Sequence, residues 1–358
     1  MKYDITITKT TNPQPKPADE SKLGFGRIFT DHMFIMEYSS DKGWHDGRIV
    51  PFGPIPTHPA STVFHYGAEI FEGMKAYRAV DGSIRLFRPM ENVKRLNQSA
   101  ERICLPLLDE EGALDIINKL VELEKDWVPH NEGTSLYIRP FIYGDDPHLG
   151  VHAVHNAMFV IICSPVGAYY ASGLKPVKIA IESEDVRAVR GGTGYAKCGG
   201  NYAASMRAGQ RAEEKGYAQV LWLDGVERKY IEEVGAMNVM FKINGKIVTP
   251  MLSGSILPGI TRKSCIELLK DWGYEVEERL FSIDELFEAC EKGTLEEAWG
   301  TGTAAVVSPI GHLFYNGKDY TVSNNEIGPL TQKLYDNLTG IQWGKIEENK
   351  GWSVKVCK

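Results

Sequence analysis

The stretch that most constrains the fold is residues 157–170, AMFVIICSPVGAYY, a long and largely apolar run. Ser164, Pro165 and Gly167 break it, so it falls short of the roughly 18 uninterrupted apolar residues that suggest a membrane span. It reads instead as a buried strand running into a loop. The next turn-forming residues, GAYYASGLKP (167–176), predict an interdomain linker. Residues 1–166 would then form a smaller N-terminal domain and 177–358 a larger C-terminal one. A chain of 358 residues is long enough to need two cores.

The net charge of −7 argues against a general nucleic-acid binder, which would carry a basic face. The N-terminus lacks the apolar core of a secretory signal and is too acidic for a transit peptide. Six cysteines, at 104, 163, 198, 265, 290 and 357, include no C-x-x-C pair. Scatter of that kind points to reduced thiols and a cytoplasmic compartment.

Strand-like runs (DHMFIMEYS, SIRLFRP, TSLYIRPFIYG, AMFVIICSP, VKIAIES, YAQVLWLDG) interleave with helical ones. Pro89 suits a first helical turn, with Val93, Leu96 and Ile103 on one face. A further helix is expected across ALDIINKLVELEKDWVP. Asn201 is placed to cap a helix that Gly216 ends. NVMFKINGKIVTP predicts a hairpin on Asn244-Gly245, and ITRKSCIELLKDWG a helix directly after a Gly-Pro turn.

Several motifs invite chemistry. The helix start at Ile260 and Thr261 would suit an oxyanion, although an ordinary helix start explains it as well. WGTGTAAVVSP, with Thr301, Thr303 and Ala304, is a second small-residue turn. His148, His152 and His155 lie in a Pro- and Gly-containing loop, with no ligand at metal spacing after them, and read as a solvated loop. No G-x-S-x-G elbow marks a serine hydrolase. The stretch GYAKCGGNYAAS (194–205) is the odd one. An imine-forming lysine needs desolvation and a fixed position. Nearby glycines would leave room for a flat ring, and Tyr202 could reach a phenolate oxygen. A carboxylate before Val234-Gly235 could face a ring nitrogen. Pyridoxal phosphate is one reading of that set.

These stretches also carry a resemblance. FTDHMFIMEY, HYGAEIFEGMKAYR, RLFRPMENVKRL, LYIRP, GGTGYAKCGGNYAAS, EEVGAMN, ILPGITRKS and GTGTAA stand in the order found in branched-chain aminotransferases, from about residue 25 to 345. The resemblance implies a fold-type IV enzyme of two α/β domains, α+β in layout, holding pyridoxal 5'-phosphate at their interface. It implies that Lys197 joins the cofactor and later moves the proton, and that Arg88 grips the phosphate with the backbone of Ile260 and Thr261. Thr301 belongs to the same cofactor set. Tyr202 would bond the ring oxygen, and Glu233 rather than Glu232 would face the ring nitrogen. Thr303 and Ala304 would hold the α-carboxylate. Phe25, Tyr66, Phe71, Tyr137 and Tyr169 would line the side-chain pocket, with Arg139 accepting the distal carboxylate of glutamate. Ala305-Val306-Val307-Ser308 replaces the C-x-x-C pair of some animal members.

The expected reaction moves the amino group of L-leucine, L-isoleucine or L-valine to 2-oxoglutarate, with no metal, nucleic acid or membrane partner. A homodimer is implied by the resemblance alone. The rival activities are a D-amino-acid aminotransferase or an aminodeoxychorismate lyase of the same fold, and a non-catalytic binding protein.

Overall fold

A computed structural model describes residues 3–167 and 174–358. The chain divides into two compact units, Met1–Ala171 with Ala196–Gly199 and Gly340–Lys358, and Ser172–Tyr195 with Gly200–Thr339. The division therefore departs from a single break at 167–176. Both the Lys197 stretch and the C-terminal tail belong to the first unit. Hydrogen bonding accounts for each, because Cys198 bridges to Ile70 and the tail pairs as a strand.

In the first unit, eight strands precede the break: β1 (Ile5–Ile7), β2 (His32–Ser39), β3 (Gly43–Pro51), β4 (Glu69–Phe71), β5 (Met74–Arg78), β6 (Ile84–Phe87), β7 (Ser135–Gly144) and β8 (Asn156–Val166). They form one sheet in the order β1-β3-β2-β8-β7-β5-β6, then the C-terminal strand Ser353–Cys357, with β4 beside β7. Every pairing but β1 with β3 is antiparallel. The apolar run singled out in the sequence is β8, central and buried along most of its length. Helices α1 (Thr62–Tyr66), α2 (Pro89–Arg102) and α3 (Glu110–Leu123) accompany the sheet. Ala113, Ile116, Ile117, Leu120 and Val121 of α3 recur at helical spacing and are all buried in the unit's core. Asp109 caps that helix by accepting the Gly112 N–H at 2.8 Å.

The second unit contains β9 (Val177–Ile181), β10 (Gln219–Leu223), β11 (Ile231–Val234), β12 (Met237–Ile243), β13 (Lys246–Pro250), β14 (Val276–Arg279), β15 (Leu295–Gly302), β16 (Val306–Tyr315) and β17 (Lys318–Thr321). Their order is β11-β10-β9-β16-β15-β12-β13-β14, with β17 beside β16, and β11 also pairs with β12. That last pairing closes six strands into a circuit and covers the open edge of β11. Helices α4 (Gly199–Glu214), α5 (Ile260–Asp271), α6 (Ile283–Glu291) and α7 (Pro329–Gln342) complete the order. The expected hairpin forms on Asn244 and Gly245, both at positive φ (49° and 77°).

Two local expectations are corrected. Asn201 does not cap α4, which begins at Gly199. Its amide group instead grips Thr193, donating to the carbonyl and accepting from the hydroxyl, both at 2.8 Å. Ile103 stands at the C-cap of α2 rather than within the helix, and from there it packs, half-buried, against the same core as Val93 and Leu96.

Candidate active site

In the first unit, Lys197 is held by its backbone on both sides. Its N–H donates to the Ser99 hydroxyl at 2.9 Å, and its carbonyl accepts the Phe71 N–H at 2.9 Å. The side chain is half-buried, with Nζ 4.8 Å from the centre of the Phe71 ring. Burial above all, then the Arg95 guanidinium, pulls the amine down to about 8, against the opposing pull of Glu72 and Tyr137. A lysine near 8 offers a usable fraction of neutral amine at physiological pH.

Lys75, fully enclosed on β5, is likewise pulled down to about 8 by burial. With folded values near 8 against an ordinary 10.5, the unfolded chain binds more protons between those limits. Stability of the cofactor-free protein should therefore rise as pH climbs from about 8 to 10.5. Urea unfolding across that window checks it: Lys75→Met and Lys197→Met should each flatten the slope, and unchanged slopes would refute the assignment.

Beside Lys197 lies a buried ionic clamp that the sequence reading missed. Glu72 is wholly enclosed, and Arg95 donates to it twice, Nε to Oε1 at 2.7 Å and Nη2 to Oε2 at 2.9 Å. Asn92 adds a third bond at 2.8 Å. Burial works to raise the Glu72 carboxyl, but Arg95 wins and holds it below the ordinary carboxylate range. Asn92, Arg95 and Ser99 stand at i, i+3 and i+7 on α2, a polar stripe that could have been noticed.

The aromatic candidates partly converge. Phe25 packs edge-on to Tyr137, ring centres 4.9 Å apart. Arg139 donates to the Tyr137 hydroxyl at 3.0 Å, and its guanidinium lies 4.6 Å from the Phe71 ring centre. Phe71 thus carries both Lys197 and Arg139, while Arg139 Nε is buried without a hydrogen-bond partner. Tyr66 is placed differently: it is exposed, and its hydroxyl accepts the Gly150 N–H at 2.8 Å. Tyr169 lies outside the described residues. Arg88 occupies left-handed backbone (φ 49°, ψ 43°) at the head of α2, an uncommon conformation for arginine. Its buried guanidinium stacks 4.7 Å from the Trp352 ring, another residue the sequence reading missed.

The glycines around Lys197 have a different reason from the one expected. A Cβ at Gly199 would run into the Glu69 carboxylate, which accepts the Gly199 N–H. One at Gly194 would strike the Ser255 carbonyl and Ala188. Protein fills that space rather than a flat ring, whereas Gly200 has nothing within 4 Å. Gly194→Ala should therefore destabilise by about 1–3 kcal/mol. Gly200→Ala, in the first turn of α4, should be neutral or stabilise by up to about 1 kcal/mol. Urea titrations rank the two; the reverse order would refute this packing account. Cys198 belongs to the apolar core of the first unit, which is role enough for it.

In the second unit, Tyr202 is half-buried in the first turn of α4. Glu233, on β11, is 3% exposed; its Oε1 accepts the Leu257 N–H at 2.8 Å. Ile260 and Thr261 open α5 behind Gly259, an N-cap residue that gives no side-chain bond. Thr301 sits opposite Asn238 in the β12–β15 register, and Asn238 donates to the Leu257 carbonyl at 2.9 Å. The Thr301 hydroxyl is buried with no partner. Thr303 and Ala304 form the half-buried turn from β15 to β16. An uncapped helix start and an orphan hydroxyl are what a phosphate would satisfy. Taken separately, each unit carries groups that pyridoxal phosphate calls for: a depressed lysine amine in the first, and a buried carboxylate and these phosphate donors in the second.

The loop histidines stack on one another, His148 to His152 at 4.2 Å and His152 to His155 at 6.2 Å between ring centres. Metal-like spacing occurs elsewhere among the described residues, at Glu37, His45 and Asp46, where Arg48 pairs with Glu37 at 2.8 Å.

Known proteins give the same picture. A branched-chain-amino-acid aminotransferase 2 of Bacillus subtilis (strain 168) is 57% identical over 356 residues, 99% of this chain and 98% of the relative. A probable branched-chain-amino-acid aminotransferase of Staphylococcus aureus (strain N315) is 55% identical over the whole of both chains. Among solved structures, the Escherichia coli branched-chain amino acid aminotransferase superposes with a TM-score of 0.76 at 27% identity, covering 91% of this chain and 99% of that one. The T.th. branched-chain amino acid aminotransferase with pyridoxamine 5'-phosphate gives 0.76 at 28%, covering 94% and 99%. The family model described as amino-transferase class IV matches residues 69–313, from the strand that carries Phe71 to the one after the Thr303 turn. The residues that hold Lys197, Phe71 and Ser99, lie within the matched span, and the chain belongs to the class IV aminotransferases.

Proposed function

We propose that the protein is a branched-chain L-amino acid aminotransferase, moving the amino group of L-leucine, L-isoleucine or L-valine to 2-oxoglutarate with pyridoxal 5'-phosphate as cofactor. The observation that carries the reading is Lys197, a backbone-clamped lysine with its amine drawn down to about 8. When bound, the cofactor supplies an electron sink for the pair left at the α-carbon after the proton departs.

The chain's own residues supply the rest. Lys197 would attach the cofactor, and its amine, free of it, would take the α-proton as a base and return it as an acid. Arg88 and the Ile260 and Thr261 backbone would hold phosphate, a bidentate guanidinium being suited to a dianion. Thr301 would give a hydroxyl, Tyr202 would bond the ring oxygen and Glu233 would serve the ring nitrogen. Thr303 and Ala304 present backbone N–H groups to the α-carboxylate. Phe25, Phe71 and Tyr137 provide an apolar wall, with Tyr66 and Tyr169 assigned to the same lining. Arg139, stacked on Phe71 and bonded to Tyr137, gives that wall the positive charge a glutamate side chain requires. A pocket that takes both leucine and glutamate needs both characters. A homodimer in the cytoplasm completes the reading; in support, no helix among the described residues is long and apolar enough to cross a membrane.

The test is a panel of L- and D-amino acids with 2-oxoglutarate. Turnover of L-leucine, L-isoleucine and L-valine is expected, with discrimination among them of about 1–3 kcal/mol. Turnover of D-alanine alone would sink the reading.

A further inference from the structure

We propose that Arg187 is the positioning residue for Glu233: it holds that carboxylate ionised beside the adjacent Glu232 and ties it to the loops that carry Gly194 and Ser255. The proposal rests on the reading of Glu233 as the acid at the ring nitrogen.

Glu232 and Glu233 are neighbours on β11 and both are buried, 4% and 3% exposed. Two adjacent carboxylates in such surroundings cannot both stay ionised without a cation close by. Arg187, itself 8% exposed, is that cation, with Nε 3.3 Å from Glu233 Oε2 at ion-pair distance. Its Nη2 donates to the Gly194 carbonyl at 3.2 Å and to the Ser255 carbonyl. One guanidinium therefore joins the loop that leads to the Lys197 stretch, the loop that leads to α5, and the acid.

The two glutamates differ in what they receive. Glu233 has the ion pair on one oxygen and the Leu257 N–H on the other. Glu232 meets only the Ser255 hydroxyl through Oε1, and its Oε2 has no partner. Burial above all pushes Glu232 above the ordinary carboxylate range; Ser255 and Arg187 oppose this, and Glu233 and Asp224 add to it. Asp224 accepts four backbone N–H groups and is held low despite its burial. Of the two, Glu232 is thus the one whose surroundings favour the neutral form. A protonated Glu233 would offer a donor where the ring nitrogen needs an acceptor, and the electron sink would weaken.

The experiment uses the pyridoxal-phosphate-loaded enzyme and four variants: Arg187→Met, Arg187→Lys, Glu232→Gln and Glu233→Gln. Each is followed by the pH dependence of the bound cofactor's visible spectrum, by kcat and KM for L-leucine, and by circular dichroism for folding. Arg187→Met should shift the spectral pH midpoint and lower kcat by about 10²-fold, as expected when a reacting group's support is lost. Arg187→Lys keeps the charge and should return the midpoint towards that of the parent. Glu232→Gln should leave kcat within about twofold, because Glu232 has neither the Arg187 ion pair nor the Leu257 N–H that Glu233 receives. A folded Arg187→Met with the parent's midpoint and kcat overturns the proposal. So does a Glu232→Gln enzyme as impaired as Glu233→Gln. Should Arg187→Met fail to fold, Arg187→Lys decides: a parental midpoint supports the proposal, and a midpoint as displaced as that of Glu233→Gln overturns it. Glu233→Gln separates the two levels, because parental spectrum and activity there would remove the underlying reading of Glu233 itself.

Discussion

Lys197→Ala should abolish cofactor attachment and lower transamination by at least about 10³-fold, within the range of a lost acid-base group and with the covalent anchor lost as well. The fold should survive. Lys197 is secured through backbone bonds to Ser99 and Phe71, and alanine keeps both. Its amine rests against the Phe71 ring, and Glu72, which attracts it, keeps both Arg95 bonds after truncation. Loss of the visible absorbance of the bound cofactor, with an unchanged far-ultraviolet spectrum, is the expected pair of results. Activity near that of the parent would mean that another lysine does this work.

Glu72→Ala should be the most damaging single change away from the lysine. It leaves the buried guanidinium of Arg95 without either of its two carboxylate bonds. Breaking a buried pair by removing one partner costs about 3–5 kcal/mol. Against a typical total of about 5–15 kcal/mol, that brings the protein close to unfolding at ordinary temperature. Removing both charges together, as Glu72→Met with Arg95→Met, should recover much of the loss, because no buried charge is then left without its partner. Denaturant midpoints of the single and double variants test this; a cost below about 1 kcal/mol for Glu72→Ala would show that the pair is not what holds this region. The lysine should respond too, since Arg95 lowers its amine and Glu72 raises it. Arg95→Met should move the titration of Lys197 up, and Glu72→Gln should move it down.

Local pattern carried much of the fold. Asn244-Gly245 announced a hairpin because few residues accept two successive positive φ values, and α5 starts directly after Gly259. What local pattern could not carry is pairing across the chain. The tail at 353–357 reads as an ordinary short strand, and nothing in it says that its partner is β6. The same holds in the site. Lys197, Arg139 and Glu233 were legible through resemblance, and the structure gives the first two a shared ring at Phe71. The Glu72–Arg95 clamp and the Arg187 junction were not legible, because their members lie far apart in sequence. Gly194 and Gly199 were misread for a related reason: the sequence shows that a side chain is absent, not whether Ser255 or Glu69 occupies the space.

The return of the C-terminal tail to the first unit has a consequence for how the molecule is made. Residues 340–358 are synthesised after the whole of the second unit, yet they supply the strand beside β6 and the tryptophan under Arg88. The N-terminal part therefore cannot finish folding first, as domains in chain order usually do during synthesis. Until Trp352 emerges, β6 keeps an unpaired edge and Arg88 has no platform. A ribosome stalled before Ser353 would hold a chain whose second unit has all its strands and whose first does not.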